Sequence, residues 1–220
     1  MDLTYLKDIT TYIAMGAGVT LRIFAVTLVF SIPIGVVCAI GKLSRFKILR
    51  FFLGVYTWIF RGTPLLLQLF FTYYGLSIIT NGVIRFEALT AALITFVFNY
   101  AAYFTEIFRA GIQSIGKGQY EASKALGMPP WLTMRRNILP QAIKIILPPM
   151  GNEAINLIKD TALCSVITVT EILRNASRVM SRDFNVGALA IAACIYLLLT
   201  FVVIMIFRRL EKRYAYYTIK

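Results

Sequence analysis

Five long apolar stretches constrain how this chain can fold. They run over residues 19–40, 51–79, 88–112, 139–168 and 186–207. A helix needs about 20 predominantly apolar residues to cross the hydrocarbon core of a bilayer, and each stretch is long enough. The chain is 59% hydrophobic with a mean hydropathy of +0.74, whereas soluble domains are about half apolar. The sequence therefore predicts an all-α membrane protein with five transmembrane helices, folded as one domain over residues 1–220.

Prolines predict irregular helix geometry in two of these stretches. The second stretch contains Arg61-Gly62-Thr63-Pro64, and the fourth contains Pro148-Pro149. Proline removes a backbone donor, and glycine loosens the helix beside it. We therefore expect a kink or break at Pro64 and an interruption of the fourth stretch about one turn before Glu153.

The distribution of basic residues predicts the orientation of the chain. The loop 42–50, the polar segment 113–137 and the tail 208–220 together hold 13 of the 23 Lys and Arg residues. Cytoplasmic loops of membrane proteins carry an excess of Lys and Arg, and these three segments lie on one side of a five-span protein. The sequence thus predicts an N-terminus outside the membrane and a cytoplasmic C-terminus.

The first fifteen residues have a helical pattern of their own. Leu3, Leu6, Ile9 and Ile13 recur at helical spacing among charged residues. This pattern would suit an amphipathic helix over residues 1–15 that lies on the outer membrane surface, and a frayed terminus fits it equally well. The mixed charge and the lack of a small-residue cleavage site give no indication of a cleavable signal peptide.

Composition argues against several functional classes. The net charge of +13 comes from short basic segments between apolar stretches, so nucleic-acid binding is not expected. The chain has no histidine, and Cys38, Cys164 and Cys194 are far apart in apolar surroundings, so no metal site is predicted. No G-x-x-x-x-G-K-[ST] loop is present, because leucine follows Gly41-Lys42 and glycine follows Gly116-Lys117. The chain is therefore not expected to be an enzyme or to bind a cofactor itself.

A short helix is predicted within the basic segment 113–137. Residues 119–126 favour helix, Gly127 can end it in a left-handed conformation, and two prolines follow. So short a helix is unstable alone in water. It must pack against the spans of this chain or against a partner.

The motifs in this region resemble those of a known transporter family. Glu121-Ala122-Ser123, Gly127 and Leu139-Pro140 are similar to the EAA loop of permeases in binding-protein-dependent ABC importers. Arg61-Gly62-Thr63-Pro64, residues 99–111 and Lys159-Asp160-Thr161 resemble the polar amino-acid uptake branch, of the histidine, arginine and glutamine type. The resemblance covers most of the chain. Two positions depart from the pattern, since Ser123 stands where alanine is usual and Asn137 where isoleucine is common.

This resemblance implies the partners and the location of the protein. Glu121, Ala122, Ser123 and Gly127 would belong to a coupling helix that docks on a cytoplasmic ATP-binding-cassette subunit, which would hold the ATP and Mg. Such subunits work in pairs, so two copies and a second permease chain are expected, with a homodimer favoured over a paralogue. An extracytoplasmic amino-acid-binding protein would deliver the substrate to this multi-pass protein of a prokaryotic plasma (inner) membrane.

Ionisable groups inside the fourth stretch predict a substrate site. Glu153, Asn156 and Asp160 are spaced to share one helical face, with Thr161 beside them. Charged residues within spans are costly and usually mark a path or a site. Two carboxylates favour a basic amino acid such as arginine, lysine or histidine over glutamine or another polar amino acid. The alternative is that the carboxylates pair internally with Lys159 or Arg61.

Polar residues of two other stretches are further candidates for substrate binding. Arg61, with Thr63, could meet a substrate carboxylate, or Arg61 could satisfy carbonyls that Pro64 leaves free. Asn99 and Tyr100 lie in the third stretch and could face substrate or simply form hydrogen bonds between helices. Two other functions remain as alternatives: a secondary transporter or channel that works alone, which needs no docking helix, and a membrane-embedded enzyme, for which no nucleophile–base arrangement is visible.

Overall fold

Helices make up the described part of the chain, residues 3–214 of a computed structural model. Within this range no strand forms. Met1, Asp2 and residues 215–220, which belong to the predicted amphipathic segment and tail, lie outside it. The helices are α1 (Leu3–Leu43), α2 (Lys47–Gly62), α3 (Leu65–Ile79), α4 (Ala88–Gln113), α5 (Lys117–Ala125), α6 (Leu139–Asp160), α7 (Ile172–Asp183) and α8 (Gly187–Tyr214).

Short irregular helical turns adjoin these elements. A π turn, Phe71–Gly75, lies inside α3. A helical turn, Pro130–Thr133, and a π turn, Met134–Ile138, lead into α6. A 3₁₀ segment, Thr161–Ile167, follows α6 and ends at Thr168, whose φ is 70°.

Three helices are each long and apolar enough to cross a membrane: α1, α4 and α8. Helices α2 and α3 qualify as a pair and meet at an angle of 103°. The break predicted at Arg61–Pro64 is confirmed, because α2 ends at Gly62 and α3 begins at Leu65. The all-helical membrane fold agrees with the sequence, while five spans and their orientation stay predictions.

The fourth predicted stretch differs from expectation in two respects. Helix α6 runs without interruption through Pro148-Pro149, so the expected break before Glu153 does not occur. The helix also ends at Asp160, and the remaining residues form the 3₁₀ segment. Two successive prolines can remain in a helix when neighbouring helices hold it, since each removes only one backbone donor.

Helix α1 extends well beyond the predicted first span. It has 41 residues, which gives a length of about 60 Å, twice the hydrocarbon thickness of a bilayer. Residues 3–15 are therefore continuous with the span and form neither the separate surface helix nor the frayed terminus that the sequence left open. Ile9 and Ile13 are buried in a cluster with residues of α7 and α8, and this packing keeps the N-terminal turns helical.

Helix α4 lies at the centre of the bundle. It packs along α1 and also contacts α2, α3 and α6. Phe96, Tyr100 and Phe104 repeat every four residues on its buried side, with ring centroids 6.2 and 6.4 Å apart. This aromatic ladder stabilises the core against which the polar side of α4 is positioned.

A buried carboxylate joins α1, α7 and α8. Glu171 is fully buried and accepts hydrogen bonds from the backbone N–H groups of Leu173 and Arg174, at 2.8 and 2.7 Å, which caps α7. The Tyr196 hydroxyl of α8 donates to the same side chain at 2.5 Å. Gly16 of α1 packs directly on this cap, because a Cβ there would lie 2.5 Å from the backbone carbonyl carbon of Glu171.

The Gly16 contact predicts a specific loss of stability. Gly16→Ala forces the methyl group against backbone that cannot rotate away, and overpacking of this kind costs about 1–3 kcal/mol. We expect a lower thermal unfolding temperature for this variant in detergent. Gly18→Ala is the matched control, because nothing lies within 4 Å of the added Cβ. Equal unfolding temperatures for the two variants would show that α1 does not approach α7 as described.

Candidate functional site

A polar cavity of about 580 Å³ lies between the α2–α3 break, α4 and α6. Seven of the eight residues that the sequence predicted for substrate binding line this cavity. They are Arg61, Thr63, Asn99, Tyr100, Glu153, Asn156 and Asp160. The remaining wall is formed by Gly62, Pro64, Leu65, Leu66, Tyr103 and Leu163. Residues separated by up to 100 positions in the sequence thus meet in one place.

Thr161 is the predicted residue that the structure places elsewhere. Its side chain is fully buried, and its hydroxyl donates to the Ile158 carbonyl oxygen at 2.6 Å. The 3₁₀ segment that begins at Thr161 turns this side chain into the protein interior, although Leu163 of the same segment lines the cavity. Adjacent position in the sequence was therefore not sufficient to bring Thr161 into the cavity.

The carboxylates of α6 share the face that their spacing predicted. Asp160 accepts a hydrogen bond from the Tyr100 hydroxyl at 2.7 Å, which links α6 to α4. Over residues 3–214, the ion pairs involve the carboxylates of Glu106 and Asp183. Neither Glu153 nor Asp160 forms a salt bridge in this range, although Arg61 interacts electrostatically with Glu153. Lys159 interacts in the same way with Asp160 and borders a separate cavity beside α8.

Arg61 lies at the last turn of α2 and borders the cavity from the opposite side. Its guanidinium carbon lies 5.5 Å from the centroid of the Tyr103 ring. A cation over an aromatic face at this distance is attracted by the ring quadrupole. The contact orients Arg61 across the cavity from α6, where it can meet an anionic group.

Gln68, which sequence reasoning missed, closes the helix break. Its amide nitrogen donates to the Phe60 carbonyl oxygen at 2.9 Å and to the Thr63 hydroxyl at 2.7 Å. The Asn99 amide nitrogen donates to the Gln68 side-chain oxygen at 2.9 Å and to the same Phe60 carbonyl at 3.0 Å. These contacts satisfy carbonyls near Pro64, the role that had been considered for Arg61. The available signal was a single amide in the apolar run Leu65–Phe70.

The side chains of Thr63 and Asn99 therefore stabilise the cavity wall through hydrogen bonds within the protein. The Thr63 hydroxyl donates to the Ile59 carbonyl oxygen at 2.8 Å and accepts from Gln68. Asn99 is almost fully buried and joins α4 to the break. The interhelical hydrogen bond considered for Asn99 and Tyr100 is thus observed for both residues.

Helix α5 occupies the basic segment in which a short helix was predicted. Gly127 follows it with a φ of 69°, a left-handed conformation that favours glycine. Glu121 and Ala122 are exposed, and so are Leu126 and Trp131 farther along the segment, at 78% and 62% of their surface. An exposed helix with apolar side chains beside it has the form of a docking surface.

The two departures from the family pattern contact each other. Ser123 is buried, and its hydroxyl accepts a hydrogen bond from the Asn137 amide at 2.7 Å. The Ser123 hydroxyl also donates to the Gln119 carbonyl oxygen at 2.8 Å. An alanine and isoleucine pair would pack at these positions through apolar contact, whereas this chain joins α5 to the π turn before α6 through a polar one.

Comparison with known proteins agrees with this architecture. Residues 31–216 match the family described as the inner membrane component of binding-protein-dependent transport systems. The chain is 39% identical over 92% of each sequence to a putative glutamine transport system permease protein, GlnP, of Rickettsia bellii. It is 36% identical, again over 92% of each, to the arginine transport system permease protein ArtQ of Bacillus subtilis.

A solved structure shows the same fold. The crystal structure of an amino acid ABC transporter with histidines superposes on this chain with a TM-score of 0.88. The two chains are 34% identical, and the match covers 97% of this chain and 99% of the other.

The Gln68 contacts predict that this side chain is required for a stable break. Gln68→Leu removes the Gln68 hydrogen bonds to Phe60, Thr63 and Asn99, while Asn99 still donates to the Phe60 carbonyl. Each lost hydrogen bond costs about 0.5–1.5 kcal/mol. We expect a lower thermal unfolding temperature in detergent than for the wild type. Thr72→Val is the control one turn later, because that hydroxyl bonds only the Gln68 carbonyl of its own helix. Equal effects of the two substitutions would contradict a special role for Gln68.

Proposed function

This chain belongs to the family of inner membrane components of binding-protein-dependent transport systems, and we propose that it carries basic amino acids. Its relatives are amino-acid ABC transporter permeases, so the chain is a membrane-embedded permease subunit and not itself an ATPase. Arginine, lysine or histidine is the substrate class that its cavity matches in charge.

The charge of the cavity is the observation that carries this proposal. Glu153 and Asp160 supply two carboxylates that form no salt bridge within residues 3–214, and Arg61 supplies one cation close enough to interact electrostatically with Glu153. A basic amino acid has the reverse set: a cationic side chain, an α-ammonium group and an α-carboxylate. Each charged group of the substrate therefore finds an opposite charge, which a site removed from water requires.

The relatives favour glutamine as a second candidate. Several curated relatives are named as glutamine permeases. Asn156 lines the cavity and offers an amide that could pair with a glutamine side chain. Tyr100 donates to Asp160, which partly compensates the carboxylate that glutamine would leave unpaired. Direct comparison of arginine and glutamine uptake separates the two candidates.

Helix α5 is proposed to couple the permease to its energy source. The family implies an ATP-hydrolysing subunit and a substrate-binding protein as partners. ATP and Mg would bind in the ATP-hydrolysing subunit, since the sequence has no phosphate-binding loop. The docking surface would comprise Glu121, Ala122 and the turn at Gly127. Buried Ser123 attaches the opposite face of the helix to the segment before α6.

The assembly would contain two ATP-binding subunits and two permease chains. Each permease supplies one α5, and ATP-binding cassettes work in pairs, which favours a homodimer. We place the assembly in a prokaryotic plasma membrane, with five spans, the N-terminus outside and α5 in the cytoplasm, because the basic segments then face the cytoplasm. The extracytoplasmic binding protein would deliver amino acid on the opposite side.

Loss of one cavity carboxylate is predicted to reduce uptake of basic amino acids. Asp160→Asn or Glu153→Gln removes a charge-assisted contact, which corresponds to about a ten- to hundredfold loss of affinity. The measurement is uptake of arginine, histidine and glutamine by the complex in proteoliposomes. ATP hydrolysis stimulated by the binding protein is expected to persist, because α5 is untouched.

Lys159→Gln is the matched control for these variants. It removes a charge that interacts with Asp160 but leaves both carboxylates in place and borders a different cavity, so arginine uptake should fall far less than in the carboxylate variants. If both carboxylate variants take up arginine like the wild type, the carboxylates are structural. Uptake of glutamine but not of arginine by the wild type would favour the second candidate.

The turn after α5 provides a test of coupling. Gly127→Val places a β-branched side chain at a φ of 69°, which costs about 1 kcal/mol or more. We expect the variant to reach the membrane but to bind the ATP-hydrolysing subunit weakly and to transport slowly. Glu121→Lys should have the same effect by reversing a charge on the exposed face. Co-purification of the subunit measures both.

Gly127→Asn is the control for this experiment, because asparagine tolerates the left-handed conformation and nothing lies within 4 Å of an added Cβ. It should retain more of the ATP-hydrolysing subunit than Gly127→Val. Normal transport by both Gly127→Val and Glu121→Lys would refute the coupling role.

A further inference from the structure

A second polar cavity, also of about 580 Å³, adjoins the first. The two cavities share Arg61, Tyr103 and Glu153 in their walls. The second continues between α4 and α6 and is lined beyond the shared residues by Glu106, Arg109 and Ser114, among others. The proposed substrate site therefore opens directly into another polar space.

The second cavity leads from the substrate site toward the segment that contains α5. On α4 its wall extends from Tyr103 to Ser114, about 16 Å along the helix axis, and on α6 from Glu153 back to Ile145, about 12 Å. Along both helices the cavity extends toward the end that adjoins the α5 segment: the C-terminal end of α4 and the N-terminal end of α6. With α5 in the cytoplasm, as proposed above, this cavity would form the inward half of a path across the membrane.

A carboxylate with two cationic partners lies on the wall of this inward half. Lys42 of α1 donates to one oxygen of Glu106, and Arg109 donates to the other at 2.7 and 2.8 Å. Lys42 also donates to the Thr57 hydroxyl at 2.8 Å, and Arg109 to the Gln113 side-chain oxygen at 2.5 Å. The Arg109 side chain is 32% exposed and that of Lys42 only 15%.

We propose that Glu106 is a second subsite for the cationic group of the substrate, used after it leaves Glu153 and Asp160. The inference rests on the proposed transport of basic amino acids. Glu106 is the carboxylate that the inward cavity adds to the walls it shares with the first. A substrate cation that moves inward exchanges one carboxylate for the next. It therefore always has an anionic partner, and leaving a desolvated cation without one would be costly.

The two partners of Glu106 differ in how readily they can be displaced. The substrate cation displaces Arg109 from one carboxylate oxygen, while Lys42 stays on the other. Arg109 keeps its hydrogen bond to Gln113 and is the more exposed of the two cations. Neither protein cation is then buried without a partner, and the substrate leaves toward α5 when Arg109 returns.

The test compares Glu106→Gln with Lys42→Met in the assembled complex in proteoliposomes. Glu106→Gln removes the carboxylate and is expected to lower the maximal rate of arginine uptake about tenfold or more, with a much smaller change in apparent KM. Lys42→Met removes the salt bridge between α1 and α4 but leaves the Glu106 carboxylate paired with Arg109. It should therefore lower the rate of arginine uptake less than Glu106→Gln does. Equal losses for the two variants would mean that the cluster only joins helices.

Two further variants keep the test decisive if Glu106→Gln fails to assemble. Glu106→Asp retains a carboxylate and should recover a large part of the arginine rate relative to Glu106→Gln. Arg109→Gln frees one oxygen of Glu106 and should raise the arginine rate, whereas a purely structural cluster predicts a fall.

Failure of this inference can be distinguished from failure of the proposed function. Normal arginine uptake by Glu106→Gln, together with its loss in Asp160→Asn, would overturn only the second subsite. Lack of arginine uptake by the wild-type complex would overturn the substrate assignment on which the subsite rests.

Discussion

The polar architecture of this protein depends on a helix break whose backbone is satisfied within the protein. A bilayer offers no water to carbonyls freed by proline, so each needs an internal partner. Gln68 and Asn99 provide those partners at the Phe60 carbonyl and the Thr63 side chain. Because two amides close the break, Arg61 is free to project into the cavity.

Helix α4 connects the features that matter for function. Its aromatic ladder packs in the core and reaches the first cavity at Tyr100, while Tyr103 borders both cavities and Glu106 the second. The same helix ends next to α5. A displacement of α5 by a partner would therefore act on a helix that also forms a wall of the cavity proposed to bind substrate.

The segment around α5 illustrates how far local sequence could be interpreted. Its helix and the left-handed glycine at its end follow from composition and spacing, and both are present. The two deviations from the family pattern looked independent, at Ser123 and Asn137. Only the structure shows that they form one hydrogen bond, because the π turn before α6 brings residues fourteen positions apart into contact.

The sequence by itself determined the membrane class of the fold, the break at Pro64 and the shared face of Glu153, Asn156 and Asp160, because these follow from local composition and helical period. The family followed from the resemblance of its motifs. It could not determine that Pro148-Pro149 remain helical, that α1 continues through residues 3–15, or that Thr161 faces away from the cavity. Tertiary structure decided these points, and it also assigned Gln68 to the break and Glu106 to Lys42 and Arg109. Such contacts depend on how separate helices pack, and helical periodicity records only which face of one helix a residue occupies.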